Sequence, residues 1–458
     1  MHSYSSLLSI QIMKLLLLLT SVLSALSIAA ERPNIVLIMA DDMGYSDIGC
    51  YGSEIQTPVL DQLARNGLRY TQFYNTSRCC PTRAALISGL YSHQAGMGLM
   101  EGDRGWPGYR GSINKRCVTL AEALRGAGYR NYMSGKWHLT RHKSPDGDIS
   151  AWPMQRGFDR FYGTITGAGS FYDPATLCRG NTYITPENDP EYQPESFYYT
   201  DAINDNAITF ISDHCEDRKV ADKPFFLYFP FYAVHTPLQA KRDLIARFNA
   251  IPKAERQGSP VYAAMVASVD ASVGRVMKKL GELNLAEETL LIFTSDNGGF
   301  AGATKHDPLR ANKGSHYEGG IRIPLIVAGA GVKGRGRIST VPTITNDLYP
   351  TVLEMMGVPS RPYQHIDGVS LAPVIKDSGK VRRDALFWHY PHYNRHPQSA
   401  PVSIVRKGKW KLIEFLERSE FELYDLDNDP GEKVDQAADR RDIVSELNTR
   451  LQEWKKEV

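Results

Sequence analysis

NIVLIMADD, residues 34–42, is a run of six apolar side chains behind Asn34 that ends on Asp41 and Asp42. A short, unbroken apolar run bounded by polar residues reads as a strand buried on both faces. Such a strand belongs in a parallel sheet with helices on either side. Working outward, the pattern repeats. Gln56–Gly67 reads as a helix stopped by glycine, Tyr70–Tyr74 as a strand and Pro81–Ser88 as a helix. Leu120, Ala123, Leu124 and Ala127 recur at helical spacing within Thr119–Gly128, and a strand-like run follows near Arg130–Met133. Phe225–Phe229 and Leu290–Thr294 read as further buried strands. Between them Met265, Val266, Val269, Val273, Val276 and Leu280 mark one face of a long helix. The expected fold class is α/β, a mostly parallel central sheet with helices on both faces.

Two regions break this rhythm. Arg141–Thr200 is rich in Pro, Gly, Asn and Tyr with little periodicity, and is read as long surface loops over the sheet. After about Lys376 the runs Ala385–Tyr390, Val402–Phe415 and Glu422–Leu426 read as antiparallel strands. A closing helix presents Ile443, Leu447, Leu451 and Trp454 on one face. The N-terminus has Lys14 ahead of an apolar run, Leu15–Leu19, with small residues near Ser27 and Ala29. That pattern predicts a cleaved export signal, since the run is short of the ~20 apolar residues of a spanning helix. The expected division is a signal peptide over residues 1–30, a large domain carrying the chemistry over 31–375, and a small α+β C-terminal domain with an antiparallel sheet over 376–458. The expected location is secreted or periplasmic, with no stable membrane anchor.

Lys plus Arg is 53 and Asp plus Glu is 51 in 458 residues, a net charge of +2. No basic surplus argues for a nucleic-acid partner. Six cysteines do not make a disulfide scaffold, and none has zinc spacing.

The polar residues that follow the apolar runs carry the functional reading. Asp41 and Asp42 follow the first strand, Lys136 and His138 the run near Arg130–Met133, His235 the run Phe225–Phe229, and Asp296 and Asn297 the run Leu290–Thr294. In a parallel sheet these positions share the edge outside the carboxyl ends of the strands, where such folds bind ligands. Asp41, Asp42, Asp296 and Asn297 offer only oxygen, which suits calcium or magnesium and not zinc. Three carboxylates together repel unless a cation lies between them. Cys79-Cys80-Pro81-Thr82-Arg83 opens a helix that Gly89 would end. Cys79 then sits at a helix N-terminus, an anion site that Arg83 can reach. A thiolate nucleophile is one reading and a structural cysteine pair is another. A phosphatase-type loop fails, because Ala85 and Leu86 stand where its Arg is required. Gly329-x-Gly331-x-x-Gly334 follows a strand but precedes no helical pattern, so it is read as a loop and not a nucleotide site.

Cys79-x-Pro81-x-Arg83, running on to Leu86-Ile87-Ser88-Gly89, resembles the signature of the sulfatase family. Asp41-Asp42-Met43-Gly44, Gly135-Lys136-Trp137-His138, Ser295-Asp296-Asn297-Gly298 and Lys313-Gly314 leading to Glu318–Pro324 are similar to that family's other motifs, as is the tail Glu422–Leu426 with Asp429-Pro430. The likeness runs from about Pro33 to Pro430. Departures are Ser88 where Thr is usual, Thr82 where Ser is common and Thr140 where Gly often follows.

The resemblance implies an alkaline phosphatase-like fold and an arylsulfatase-type sulfuric ester hydrolase. It implies that Cys79 is oxidised to formylglycine (3-oxoalanine) by a separate formylglycine-generating enzyme. The hydrated aldehyde would attack sulfur with one hydroxyl and expel sulfate with the other. Asp41, Asp42, Asp296 and Asn297, with an oxygen on residue 79, would bind calcium, magnesium being the alternative. Arg83 and Lys136 would hold the diol and the sulfate, His138 would assist the collapse, and His235 and Lys313 would bind sulfate and protonate the leaving oxygen. The expected substrate is a sulfated carbohydrate, with small aryl sulfates accepted. Trp106, Tyr109, Tyr172, His389 and His392 are candidates for a sugar subsite or for packing. Two rivals stay open: a phosphodiesterase or phosphonate hydrolase of the same superfamily, and a non-catalytic binder of sulfated glycans.

Overall fold

The computed structural model describes residues 32–361, 364 and 367–458. The expected signal peptide therefore lies outside the described residues. Among the described residues, no helix is long and apolar enough to cross a membrane.

The opening run forms β1 (Asn34–Ala40), buried along its whole length. It is followed by α1 (Pro58–Asn66), β2 (Leu68–Tyr74), α2 (Cys79–Ser88), α3 (Leu120–Gly126) and β3 (Arg130–Ser134). Then come β4 (Arg160–Thr164), β5 (Leu177–Arg179), β6 (Thr182–Tyr183), α4 (Tyr199–Glu216), β7 (Phe225–Pro230), α5 (Pro260–Glu282) and β8 (Thr289–Ser295). The main sheet is completed by β9 (Arg322–Gly329), β10 (Arg337–Ser339) and β11 (Thr343–Ile344), with α6 (Leu348–Met355) after it. Its order is β10-β2-β9-β8-β1-β7-β3-β4-β5-β6, and β11 pairs with β2. The centre, from β8 through β1, β7 and β3 to β4, is parallel, whereas β9, β5 and β6 run antiparallel to their neighbours.

Alternation along β1 sets the two layers, because successive side chains of a strand point to opposite faces. Ile35, Leu37 and Met39 pack with Leu86 of α2, Leu120 and Leu124 of α3 and Leu348 of α6. Val36, Ile38 and Ala40 pack with Leu60 of α1, Ile203 and Phe210 of α4 and Val269 and Val273 of α5. Glycine-ended turns follow β9, where Gly329, Gly331 and Gly334 all take positive φ and no helix starts, as expected for a loop.

Two expectations are corrected. Arg141–Thr200 is not a set of surface loops. It supplies β4, which adds to the parallel edge beside β3, and the antiparallel β5 and β6 beyond it. Trp152, Phe158 and Phe161 from this stretch are buried in the core. Val402–Phe415 is not one strand but a hairpin, β13 (Val402–Lys407) and β14 (Trp410–Phe415), turning at Gly408 with φ 57°. With β12 (Leu386–Tyr390) and β15 (Glu420–Asp425) they form a four-stranded antiparallel sheet. One face takes Leu447, Leu451 and Trp454 of α7 (Arg441–Glu457). The other, with Trp388, Ile404 and Ile413, packs on Tyr74, Ile321 and Ile344 of the main body. Between the two units lies a buried polar knot, in which Lys411 Nζ is 3.1 Å from Glu318 and 2.8 Å from Glu432.

Candidate active site

The carboxyl ends of four parallel strands meet at one point. The β1–β8 register pairs Ala40 with Ser295, so Asp41 and Asp42 leave one strand beside Asp296 and Asn297 leaving the next. Asp42 N donates to Asp296 Oδ1 at 3.1 Å, and Asn297 Nδ2 donates to Asp42 Oδ1 at 2.7 Å. Lys136 follows β3, and its amide donates to Pro230 O at the end of β7 at 2.9 Å. That approach needs Gly135: its φ is 133°, and a Cβ there would lie 1.8 Å from Pro230 O. Asp42 and His138 take φ of 62° and 59°, a left-handed conformation uncommon for non-glycine residues.

Three buried acids face three buried cations. Arg83 Nε and Nη2 donate to Asp296 Oδ2 at 3.1 and 2.9 Å, and Nη2 is 3.6 Å from Asp41. Lys136 Nζ is paired with Asp41 Oδ2, and Lys313 Nζ is 2.6 Å from Asp42 Oδ1. His235 Nε2 lies 3.7 Å from Asp42 Oδ2. Burial pushes each acid up, and the neighbours then divide them. Burial and Asp296 lift the Asp41 carboxyl to about 8 against the pull of Lys136 and Arg83. For Asp42 burial is outweighed by Lys313 and His235, which hold it far below the usual carboxylate range. Burial and the cations Lys136 and Arg83 push His138 well below an ordinary imidazole, and burial brings His235 to about 3.

The cysteine helix opens onto this cluster. α2 begins at Cys79, two residues before the expected Pro81, with Arg78 extended as its N-cap. Cys79 N donates to Asn297 Oδ1 at 2.9 Å, and Sγ is 3.3 Å from the same oxygen. Gly89 closes the helix with φ 74°. Burial raises the Cys79 thiol above its ordinary value. A buried, protonated thiol is a poor nucleophile as it stands.

The donor set fits a divalent cation. Ligand atoms of Asp41, Asp42, Cys79 and His235 lie within 4.8 Å of one another. Asp41 Oδ1 is buried without a hydrogen-bond partner, and an acid lifted by burial and a like charge is one that an ion would hold ionised. Asp296 and Asn297 adjoin this group; Asp296 is engaged by Arg83 and by Asp42 N. Behind it, Tyr262 donates to Asp42 O at 2.9 Å and to Asp47 at 2.6 Å, fixing the turn that carries the acids.

Four residues around the site were not read from the sequence. Glu101 holds Lys143 at 2.7 Å and lies 3.7 Å from His138 Nε2, with its Oε1 buried and unpartnered. His306 Nε2 accepts from Gly299 N at 2.8 Å in the turn after Asn297. From the small domain, Asn394 donates to Gly314 O at 2.8 Å, and His396 lies against Gly314 beside Lys313. Of the aromatic candidates, Trp106 is 71% exposed and Tyr172 44% exposed. Tyr109 and His392 form an edge-on pair with centroids 4.9 Å apart, whereas His389 is held by Ser403.

Known proteins resemble this chain over most of its length. Residues 33–358 match the family model described as Sulfatase, and 311–457 match that of the N-sulphoglucosamine sulphohydrolase C-terminal region. A protein named sulfatase from Formosa agariphila is 33% identical, covering 93% of this chain and 89% of that one. Arylsulfatase A of Homo sapiens is 34% identical over 88% of this chain and 83% of its own. The crystal structure of Ps i-CgsB in complex with k-i-k-neocarrahexaose superposes with a TM-score of 0.79 at 29% identity, covering 93% of both chains. A phosphonate monoester hydrolase of Agrobacterium radiobacter shares the fold, with a TM-score of 0.65 at 21% identity.

Proposed function

Because the chain belongs to the sulfatase family and is a sulfuric ester hydrolase, we infer that it removes sulfate esters from sulfated carbohydrates using a formylglycine at position 79 and a bound calcium ion. One observation carries the reading: Cys79 opens a helix directly onto Asn297, in a pocket where Arg83, Lys136 and Lys313 bring buried positive charge to buried acids. Asp41, Asp42, Asp296 and Asn297 would hold the cation, with magnesium as the alternative to calcium. Bound there, the ion supplies Lewis-acid polarisation of a sulfate oxygen, and the oxidised residue 79 supplies a hydrated nucleophile.

The chain's own side chains do the rest. Arg83 and Lys136 orient residue 79 and neutralise the sulfate. Lys313 and His235, which both contact Asp42, bind sulfate, and the protonated Lys313 delivers a proton to the departing sugar oxygen. His138, neutral in this cationic setting, accepts the proton released as the nucleophile is regenerated. One acid or base contributes about 10²–10⁴-fold. The remainder must come from charge stabilisation around the sulfuryl group.

We place the substrate among sulfated sugars because Ps i-CgsB, similar over nearly the whole chain, was crystallised in complex with k-i-k-neocarrahexaose. Export from the cytoplasm, maturation by a separate enzyme and the boundary near residue 376 belong to the same reading. The boundary follows the change from parallel to antiparallel sheet, although the matched C-terminal region begins earlier, at residue 311.

Two measurements test this function. Mass spectrometry of the active enzyme should find an aldehyde or its hydrate on the peptide with residue 79; an intact thiol would overturn the mechanism. Matched sulfate and phosphate esters should be cleaved with a strong preference for sulfate, and the reverse preference would favour the phosphonate-hydrolase alternative.

A further inference from the structure

A cleft of about 780 Å³ opens between the loop segment 90–116 and the C-terminal unit. Its size lies within the roughly 300–1,000 Å³ of small-molecule sites. Leu90, His93 and Tyr109 line one side, and His389 and Trp454 the other. Among the described residues no Asp or Glu side chain lines it, whereas Arg116 and Lys455 do.

The rings of His316 and Tyr390, both buried, and of His392 and Tyr109 lie between the cleft and residue 79. His316 bonds Ser77, two residues from Cys79, and its ring lies 5.2 Å from that of Tyr390. Tyr390 lies 5.3 Å from His392, and His392 4.9 Å from Tyr109 on the cleft wall. His93 packs 6.1 Å from His389 and 6.3 Å from Trp454, so both units build the cleft. Nε2 of His93 and of His392 has no hydrogen-bond partner among the described residues.

We propose that this cleft is a second carbohydrate subsite, holding a further sugar of the same chain whose sulfated unit sits at residue 79. The proposal rests on the sulfated-carbohydrate reading and extends it from a single sugar to an oligosaccharide. Flat aromatic walls and planar polar groups suit a hydroxyl-rich ring. Burial takes His93 and His389 to about 4, so both imidazoles are neutral; His93 offers its unpartnered Nε2 to a hydroxyl, and His389, its Nδ1 taken by Ser403, has only Nε2 to offer. Arg116 suits a sulfate or carboxylate carried on that ring.

The test compares Tyr109→Leu and His93→Gln with the wild type, each checked for an unchanged melting temperature. Substrates are 4-methylumbelliferyl sulfate, sulfated monosaccharides, and carrageenan and glycosaminoglycan oligosaccharides of two to six sugars. The wild type should prefer an oligosaccharide to its monosaccharide. Both variants should raise KM for that oligosaccharide about tenfold, the effect of one lost hydrogen bond or ring contact, and leave the aryl sulfate within about twofold. Equal effects on both substrate classes, or on neither, overturn the subsite. Cleavage of the aryl sulfate alone also overturns it while leaving the sulfatase chemistry intact. No cleavage of any ester, with residue 79 converted, overturns the catalytic reading and the subsite together.

Discussion

Lys313 Nζ lies within hydrogen-bond distance of both carboxylate oxygens of Asp42, 2.6 Å from Oδ1 and 2.7 Å from Oδ2. Both side chains are buried, so the lysine balances a charge that water cannot reach.

Replacing Lys313 by Met should therefore expose the acid cluster's need for a cation. Leaving one partner of a buried pair unpaired costs about 3–5 kcal/mol. The metal-free variant should melt well below the metal-free wild type, and calcium should raise its melting temperature more than it raises the wild type's. A calcium shift no larger than the wild type's would mean that the ion binds away from Asp42. Turnover of the calcium-loaded variant should fall by about 10²-fold or more, as for loss of a general acid.

Glu101 should act through His138, beside which it lies. Its free Oε1 faces that ring at 3.7 Å while Lys143 holds Oε2. Glu101→Gln should lower kcat about tenfold, or about 1.4 kcal/mol, with KM and melting temperature little changed. Glu101→Asp should recover part of the loss. A change confined to KM would make Glu101 a substrate contact instead.

Gly135 tests the meeting of β3 and β7. An added methyl would strike Pro230 O and demand an unfavourable positive φ. Gly135→Ala should cost about 3 kcal/mol or more and displace Lys136, measured as a fall in both melting temperature and activity. A stable, active variant would mean that this edge of the sheet can yield.

Glu432 makes the join between the units sensitive to pH. Burial and the nearby Glu318 raise it to about 7, although Lys411 pulls the other way. A carboxyl raised in the folded state stabilises the fold below its unfolded pKa, near 4.5, and loses that contribution as pH rises to about 7. The melting temperature should fall between these values by more in the wild type than in Glu432→Gln. Equal slopes would assign the pH dependence elsewhere.

Much of this architecture is legible in residues 34–42, because burial on both faces leaves a strand no polar residue until its end. The same logic marks β8 and Asp296. Cys79 is visible through Pro81 and Gly89, which punctuate a helix at both ends. β4 is not legible: Arg160–Thr164 is short, opens with a cation and contains Gly163, where a Cβ would meet Gly135 O at 1.8 Å. Its strand state comes from pairing with β3, which no local pattern encodes. Gly408, flanked by Arg406, Lys407 and Lys409, marks the turn of the β13–β14 hairpin, a polar break that reading Val402–Phe415 as one strand passes over. Glu101 lies in an aperiodic, glycine-rich stretch, so only tertiary structure brings it to His138.

The burial of Cys79 also sets an order of events in the life of the chain. The residue is 1% exposed, beneath Asn297 and beside Lys313, both more than two hundred residues downstream. No other protein's catalytic groups can reach it once those segments have closed. Any enzyme that oxidises it must act while the polypeptide is still emerging or unfolded. Refolding an unconverted chain should then give a correctly shaped protein that no later treatment with that enzyme can awaken.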